Sequence, residues 1–156
     1  MGSGVLRAVI GLVVVGGAVG ARVWLKPPRD PVIHVDGEDA RMVAAEKEAR
    51  ARWPEFLASF KQRQRGTFYA VKYGFPVKGS QGGQEFIWLE VKTIGGGTIT
   101  GVIDNEPNAD VGYKLGDTAN VPEKEISDWI ISSKNGEYLG GFQVKVLKAI
   151  ERERGK

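Results

Sequence analysis

The chain has 156 residues, 42% hydrophobic and 26% charged, which suits one globular domain, and its lack of cysteine excludes disulfides, thiolate metal sites and cysteine nucleophiles. The net charge of +3 arises at the N-terminus, because residues 1–29 hold four basic residues and no acidic one, whereas the remainder holds 18 basic and 19 acidic residues. A nucleic-acid-binding domain carries its excess positive charge on the folded part, so we expect no nucleic-acid partner.

The first element is an uncharged apolar run at residues 8–21, flanked by Arg7 and Arg22. A transmembrane helix needs about 20 apolar residues. Residues 5–25 reach that length if both arginine side chains extend to the membrane interfaces. The run therefore predicts a hydrophobic N-terminal helix that contacts the membrane through residues 5–25.

A cleaved signal peptide is the alternative interpretation of residues 1–25. Arg7 then forms the basic n-region, and small residues precede a cleavage point before Ala21. The basic residues that follow the run favour a cytoplasmic domain by the positive-inside rule, whereas the signal-like composition favours export. We expect a membrane-anchored or exported protein, with the folded domain on the extracytoplasmic side.

A linker is predicted at residues 26–37, where three prolines favour extended, semi-rigid backbone. The folded domain is predicted at residues 38–150. A charged tail, ERERGK, is predicted at residues 151–156.

Two helices are predicted at the start of the domain. Acidic residues at Glu38 and Asp39 suit a helix N-terminus, and an apolar stripe follows. Pro54 interrupts the pattern and can begin a second helix, because its missing N–H costs nothing in the first turn. The stripe of the first helix comprises Met42, Ala45, Ala49 and Trp53, and the buried side of the second comprises Phe56, Leu57 and Phe60.

Alternating segments separated by turn residues predict strands in the rest of the domain. In the second of them, Trp88 and Glu90 share a face opposite Leu89, and in the third, Ile99 and Val102 are expected near the core. The segment Phe142–Ile150 fits a strand or a helix. The predicted strands are residues 67–75, 85–94, 98–104, 118–121 and 126–132.

A family resemblance rests on seven segments that follow in order: ARARWPEFLASF, FYAVKYGF, EFIWLEV, ITGVIDNEP, KLGDTANVP, ISDW and LGGFQVKVLK. Together they resemble the YegJ-like bacterial domain of unknown function (the DUF2314 family), over roughly residues 39–148. The resemblance implies an α+β fold, with N-terminal helices packed on a small curved antiparallel sheet. It implies no catalytic residues. The pattern is also similar to that of domains found among immunity proteins of bacterial toxin systems.

The sequence contains few residues that could act in catalysis. The single histidine, His34, lies in the linker, which leaves a serine triad without a positioned base. Without cysteine, only carboxylates remain as metal ligands, and no phosphate-binding glycine motif is present. We therefore expect no cofactor, no metal site and no catalytic residue.

Polar and aromatic residues cluster between Glu85 and Trp129 and supply a candidate binding surface. Turn chemistry explains most of the polar ones, because short polar side chains satisfy backbone groups at turns. A carboxylate pair made of Glu90 with Asp104 or Glu106 would be needed for a hydrolase. The candidate surface comprises Trp88, Glu90, Asp104, Asn105, Tyr113 and Trp129.

Three functions follow from this reading of the chain. The first is a non-enzymatic envelope module that binds an unidentified protein partner from a membrane-tethered or exported position. The alternatives are a toxin-neutralising, immunity-like protein and a carboxylate-dependent hydrolase.

Overall fold

A computed structural model describes residues 9–10, 39–63 and 65–155, which form three α-helices and seven strands. The elements in chain order are β1 (Val9–Ile10), α1 (Ala40–Ala51), α2 (Trp53–Lys61), β2 (Phe68–Pro76), β3 (Gln84–Gly95), β4 (Thr98–Ile103), β5 (Thr118–Pro122), a 3-10 turn (Glu123–Glu125), β6 (Asp128–Ser132), β7 (Tyr138–Gly140) and α3 (Phe142–Arg154).

The two N-terminal helices follow the predicted pattern. The Asp39 carboxylate accepts the backbone N–H of Arg41 at 2.9 Å and so caps α1. Pro54 lies in the first turn of α2, where a missing N–H leaves no helical hydrogen bond unmade. Ala45 and Ala49 of α1 are buried, as are Phe56 and Phe60 of α2, whereas the other residues of the predicted apolar faces, Met42, Trp53 and Leu57, are half-buried.

Six strands pair antiparallel in the order β5-β4-β3-β2-β6-β7, which confirms the predicted α+β class with an antiparallel sheet. The register between β3 and β4 shifts between Val91 and Thr93, as at a β-bulge, and bulges increase the local twist of a sheet. The short strand β1 lies parallel to β3, with Val9 opposite Glu85 and Ile10 opposite Phe86.

The rest of the predicted N-terminal segment, residues 1–8 and 11–25, and the predicted linker at residues 26–37 lie outside the described residues. Within the described part of the chain, no helix has the length and apolar character that crossing a membrane requires.

The two faces of β3 differ as predicted, since Ile87, Leu89 and Val91 are buried and Trp88 and Glu90 are only half-buried. One prediction about the neighbouring strand was wrong. Ile103 is buried with Ile99 on β4, whereas Val102 is half-buried, because residues two apart share a face of a strand and 99 and 102 do not.

An aromatic cluster joins the helices to the sheet on the face that carries Leu89. Phe56 of α2 meets Tyr69 and Trp129 edge-on, with ring centroids 5.6 Å apart in both pairs. Phe142 of α3 meets Trp129 at 5.3 Å. Trp129 is 0% exposed, and its indole N–H donates to the carbonyl of Ala49 at 2.7 Å, so this ring fixes α1 against β6.

The ambiguous C-terminal segment is a helix. It runs from Phe142 to Arg154, so residues 151–154 of the predicted charged tail belong to α3, where they are exposed. Two glycines with positive φ, Gly140 and Gly141, join β7 to this helix. A Cβ at Gly140 would lie 2.2 Å from the carbonyl oxygen of Trp129, so the connection requires glycine there.

Candidate functional site

Three side chains form a row across the middle of the sheet. Lys72 on β2 pairs with Trp88 on β3 and with Asp128 on β6. Paired residues of antiparallel strands share a face, so the row lies on the face opposite Leu89. Lys72 and Asp128 are both 0% exposed, and the Lys72 ammonium lies 5.4 Å from the centroid of the half-buried Trp88 ring. We refer to Trp88, Lys72 and Asp128 as the Lys72 row.

Asp128 ends the row at the N-terminus of α3. Its carboxylate accepts the backbone N–H groups of Phe142 at 3.0 Å and of Gln143 at 2.9 Å. It also accepts the N–H of Trp129 at 2.8 Å. A helix N-terminus leaves such donors free and carries partial positive charge, so a carboxylate is stabilised there. Asp128 thus joins β6 to α3 and faces the buried cation of Lys72.

Burial dominates the protonation of Asp128. It raises the pKa of this carboxyl to about 7, against the opposing effects of the Lys72 charge and the backbone N–H groups of Trp129, Gln143 and Phe142. The row therefore contains a group that exchanges a proton near neutral pH.

The free energy of unfolding is expected to fall by about 1–3 kcal/mol between pH 5 and pH 8 because of Asp128. The carboxyl pKa is about 7 in the folded protein and 3.8 as the reference value, so between these values folding takes up a proton. Stability from this group is greatest below pH 4 and is lost as the pH rises through 7. Urea titrations at several pH values measure the effect.

Two variants identify the group responsible for this pH dependence. His34→Gln removes the single histidine, a side chain whose ordinary pKa lies between pH 5 and pH 8. This variant should show the same dependence of the free energy of unfolding on pH. Asp128→Asn should remove most of the decrease in the free energy of unfolding between pH 5 and pH 8. A slope that persists in Asp128→Asn and disappears in His34→Gln would contradict the assignment.

Asp104 and Asn105 extend the pairing of β3 beyond the end of β4. The N–H of Asp104 donates to the carbonyl of Trp88 at 2.9 Å, and the Asn105 side-chain oxygen accepts the N–H of Trp88 at 2.8 Å. Both backbone groups of Trp88 are thereby fixed. The structure thus brings together three of the predicted site residues. The Asn105 amide nitrogen is buried and has no hydrogen-bond partner within the described chain.

Glu85, at the start of β3, lies on the core side of the sheet and holds the loop between β4 and β5 in place. Its buried carboxylate accepts the backbone N–H groups of Asn108 at 2.8 Å and Ala109 at 2.7 Å, and the Asn108 side-chain amide at 3.1 Å. These three donors satisfy a carboxylate that has been removed from water. Glu85 therefore fixes the loop that carries Asn105.

Two predicted surface residues are buried instead. Trp129 is 0% exposed and Asn105 is 2% exposed, so neither can present its side chain to a partner. Trp129 fills the aromatic core, and the oxygen of Asn105 satisfies the backbone of β3. Their inclusion in an accessible surface was therefore wrong.

Tyr113 lies apart from Trp88. Its ring packs against Phe75 at 5.3 Å, and Phe75 is on the core side of β2, away from the Lys72 row. Glu90 is on the same face as Trp88, and its carboxylate lies 2.6 Å from the ammonium of Lys92. Of the predicted residues, Trp88 and Glu90 remain as partly exposed neighbours on one face of β3.

Lys72 and Glu85 are two buried charged residues to which the sequence pattern gave no role. The segment FYAVKYGF contained a signal for Lys72, because alternation places it on the face opposite Val71 in a strand rich in aromatic residues. A lysine at such a position is rarely buried unless it has a partner. Asp128 directly precedes Trp129 in the sequence, and its carboxylate accepts the Trp129 N–H.

No group of three His, Cys, Asp or Glu side chains in the described ranges is placed to hold a metal ion. The Lys72 row contains one carboxylate and one ammonium, which suits proton binding or structural pairing.

Comparison with known proteins identifies relatives of the domain. Residues 39–154 match a family described as an uncharacterized protein conserved in bacteria (DUF2314). An uncharacterized protein of Escherichia coli, YegJ, is 30% identical over 106 residues, which cover 68% of this chain and 66% of YegJ. A putative ankyrin repeat protein of Neisseria meningitidis is 30% identical over 131 residues, which cover 79% of this chain.

The chain spans about half of the length of the Neisseria protein, 51%, and somewhat less than two thirds of YegJ. No solved structure matches the chain. The expected resemblance to the YegJ-like domain is confirmed.

Proposed function

The chain belongs to the DUF2314 family of uncharacterised bacterial proteins, and from this premise we propose that it is a non-enzymatic module that binds a protein partner. We further propose that residues 1–25 anchor it in a membrane or direct its export, with the domain on the extracytoplasmic side. The first part rests on the face of the sheet that carries Trp88, and the second on the apolar run at residues 8–21.

The observation that carries the binding proposal is a half-buried tryptophan whose backbone is fixed. The backbone of Trp88 bonds to Asp104 and Asn105, and its ring lies over the ammonium of Lys72. A rigid aromatic side chain that is partly accessible loses little conformational entropy when a partner covers it, and tryptophan is enriched at the centres of interfaces. Glu90 and Lys92 beside it supply charge at the rim.

The alternative of a hydrolase is less well supported by Glu90. Its carboxylate is about two fifths exposed and forms a surface ion pair with Lys92 at 2.6 Å. A general acid in glycoside cleavage needs a shielded carboxyl group opposite a second one. The alternative of an immunity-like protein rests on the resemblance in fold, and a toxin gene adjacent to the gene of this chain would support it.

Photo-crosslinking in cells tests the binding surface. A photoreactive amino acid at Glu90 should give an adduct of one defined mass, whereas the same amino acid at the exposed Leu115 should not. Trp88→Ala should abolish the Glu90 adduct and Trp88→Phe should retain it, since phenylalanine preserves an aromatic contact. Equal adducts at both positions, or an adduct unchanged by Trp88→Ala, would exclude this surface.

Fractionation of the same cells, with intact-mass measurement, tests the role of residues 1–25. A full-length chain in the membrane fraction indicates an anchor, and a soluble extracytoplasmic chain that begins near Ala21 indicates export. A full-length chain confined to the soluble cytoplasmic fraction would contradict both.

A further inference from the structure

The neighbouring strands β2 and β6 are buried on both of their faces. Along β3 and β4, buried residues alternate with half-buried or exposed ones, as expected for a sheet that is covered on one side. On β2, however, Ala70 and Lys72 are at least as deeply buried as Tyr69 and Val71, which lie on the opposite face. All residues of β6 are buried. A layer of protein therefore lies on each side of these two strands.

The N-terminal helices account for the layer on one side. Phe56 of α2 and Ala49 of α1 both contact Trp129 on the core side of β6. We refer to the opposite side of the sheet as the Trp88 face, and it carries Ala70, Lys72, Trp88 and Ile130. Helix α3 reaches the Trp88 face at β6, where its first turn bonds to Asp128. Strand β2 lies one strand further from α3, so a second segment above β2 would complete this layer.

The described part of the N-terminal segment meets the sheet at the edge of β3. Strand β1 runs parallel to the start of β3, with Ile10 opposite Phe86. It occupies the part of this edge that β4 leaves free, because the pairing of β4 with β3 ends at Leu89. Phe86 lies on the Trp88 face, since it is two residues from Trp88 along the strand. The register thus places the beginning of the apolar run beside one end of the Trp88 face.

Helix α1 begins at the other end of the sheet. Helix α3 starts beside Asp128 and runs towards Tyr138, which pairs with the last residue of β6 and whose ring lies 6.0 Å from the ammonium of Lys148. Helix α1 runs antiparallel to α3, since Arg41 near its start pairs with Glu153 near the end of α3 at 3.0 Å. The chain between β1 and α1 must therefore pass from one end of the sheet to the other.

The apolar run at residues 8–21 has the length and the composition to cover the Trp88 face. Gly74, which pairs with Phe86, and Phe68 at the other end of β2 are roughly 20 Å apart, because a strand rises about 3.3 Å per residue. Residues 8–21 span about 20 Å as a helix and more when extended. The run is uncharged, and its burial against apolar side chains is favourable. The apolar side chains of the Trp88 face are Ala70, Phe86, Trp88, Val102 and Ile130.

We infer that residues 8–21 cover the Trp88 face when the chain is not in a bilayer. The run cannot lie on the sheet and in a membrane at the same time, so the two environments compete for it. A protein partner that binds through Trp88 competes with the run for the same face. This last consequence rests on the proposed function, whereas the cover itself rests on the burial of β2 and β6 and on the position of β1.

Thiol labelling of the full-length chain tests the cover, because the chain contains no cysteine of its own. Ala70→Cys places a thiol on the Trp88 face and Ala119→Cys places one on the core side of β5, and both alanines are 1% exposed. Each is combined with Val13→Asp and Val14→Asp, since two charges in the run disfavour its burial on an apolar face. The thiol at position 70 should then react with a maleimide at least about tenfold faster, and the thiol at position 119 should react at an unchanged rate.

The pair Val43→Asp and Leu115→Asp is the matched control, because it adds the same charges at apolar side chains that are already exposed. This pair should leave the labelling rate at position 70 unchanged. A rate at position 70 that Val13→Asp and Val14→Asp do not raise would overturn the inference. Equal acceleration at positions 70 and 119 would also overturn it, because the loss of a cover opens its own face first.

Phosphatidylcholine vesicles separate this inference from the proposed anchor. Transfer of the unaltered run into the bilayer should make the chain with Ala70→Cys float with the vesicles and should accelerate labelling at position 70. Flotation with an unchanged labelling rate would preserve the anchor and overturn the cover. Acceleration by Val13→Asp and Val14→Asp, without flotation of the chain that carries the unaltered run, would preserve the cover and remove the support from the anchor.

Discussion

Replacement of Asp128 by alanine is expected to lower the free energy of unfolding by about 3–5 kcal/mol. The substitution removes the attraction between the buried Asp128 carboxylate and the charge of Lys72, the residue opposite it on β2. It also removes the acceptor of the N–H groups of Phe142 and Gln143 at the start of α3. Urea denaturation followed by far-ultraviolet circular dichroism measures the loss.

Asp39→Ala is the matched control, because Asp39 also caps a helix but pairs with the exposed Arg41. Asp39→Ala should lower the free energy of unfolding by about 1 kcal/mol, the contribution of a helix cap alone. The double variant Lys72→Met, Asp128→Asn removes both buried charges and keeps one acceptor for α3. It should be more stable than Asp128→Ala. A loss in Asp128→Ala no larger than in Asp39→Ala would show that the buried pair contributes little.

Replacement of Glu85 by alanine is expected to cost about 3–4 kcal/mol. The backbone N–H groups of Asn108 and Ala109 lose their acceptor, and an unsatisfied buried donor costs about 1–3 kcal/mol. Hydrogen exchange at these two amides should accelerate beyond the change in global stability, because the loop opens before the sheet does.

Glu85→Gln keeps one carbonyl oxygen and should cost about half as much as Glu85→Ala. Glu106→Ala is the control within the same loop. Glu106 is exposed, and surface substitutions away from special features change stability by about 0.5 kcal/mol or less. Unchanged exchange at Asn108 and Ala109 in Glu85→Ala would contradict the role of Glu85 in holding the loop.

Local patterns in the sequence were sufficient for the two faces of β3 and for the start of α2. Alternation placed Trp88 and Glu90 opposite Leu89, because the side-chain period of a strand is a property of its own backbone. Pro54 marked the start of α2 for a similarly local reason. The C-terminal segment remained ambiguous because the positions of Phe142 and Val146 fit both the two-residue period of a strand and the 3.6-residue period of a helix.

The partners of the buried charges required information that no local pattern contains. Lys72 meets Asp128 because β2 pairs with β6 in one register, and 55 residues separate these two in the chain. A shift of one residue would turn Asp128 to the other face of the sheet. For the same reason Trp129, which lies one residue further, was misplaced on a surface although it fills the core.

The strand order has a consequence for the chain during its synthesis. The four strands from β2 to β5 pair in the order in which they are synthesised. The other edge of β2 pairs with β6, which is synthesised later. A nascent chain released as far as residue 122 can complete the four-stranded meander, yet the β6-facing edge of β2 then still has unmatched hydrogen-bonding groups. Emergence of β6, β7 and α3 closes that edge. A ribosome that stalls in this interval leaves an aggregation-prone strand edge, which the segment after residue 122 covers once it emerges.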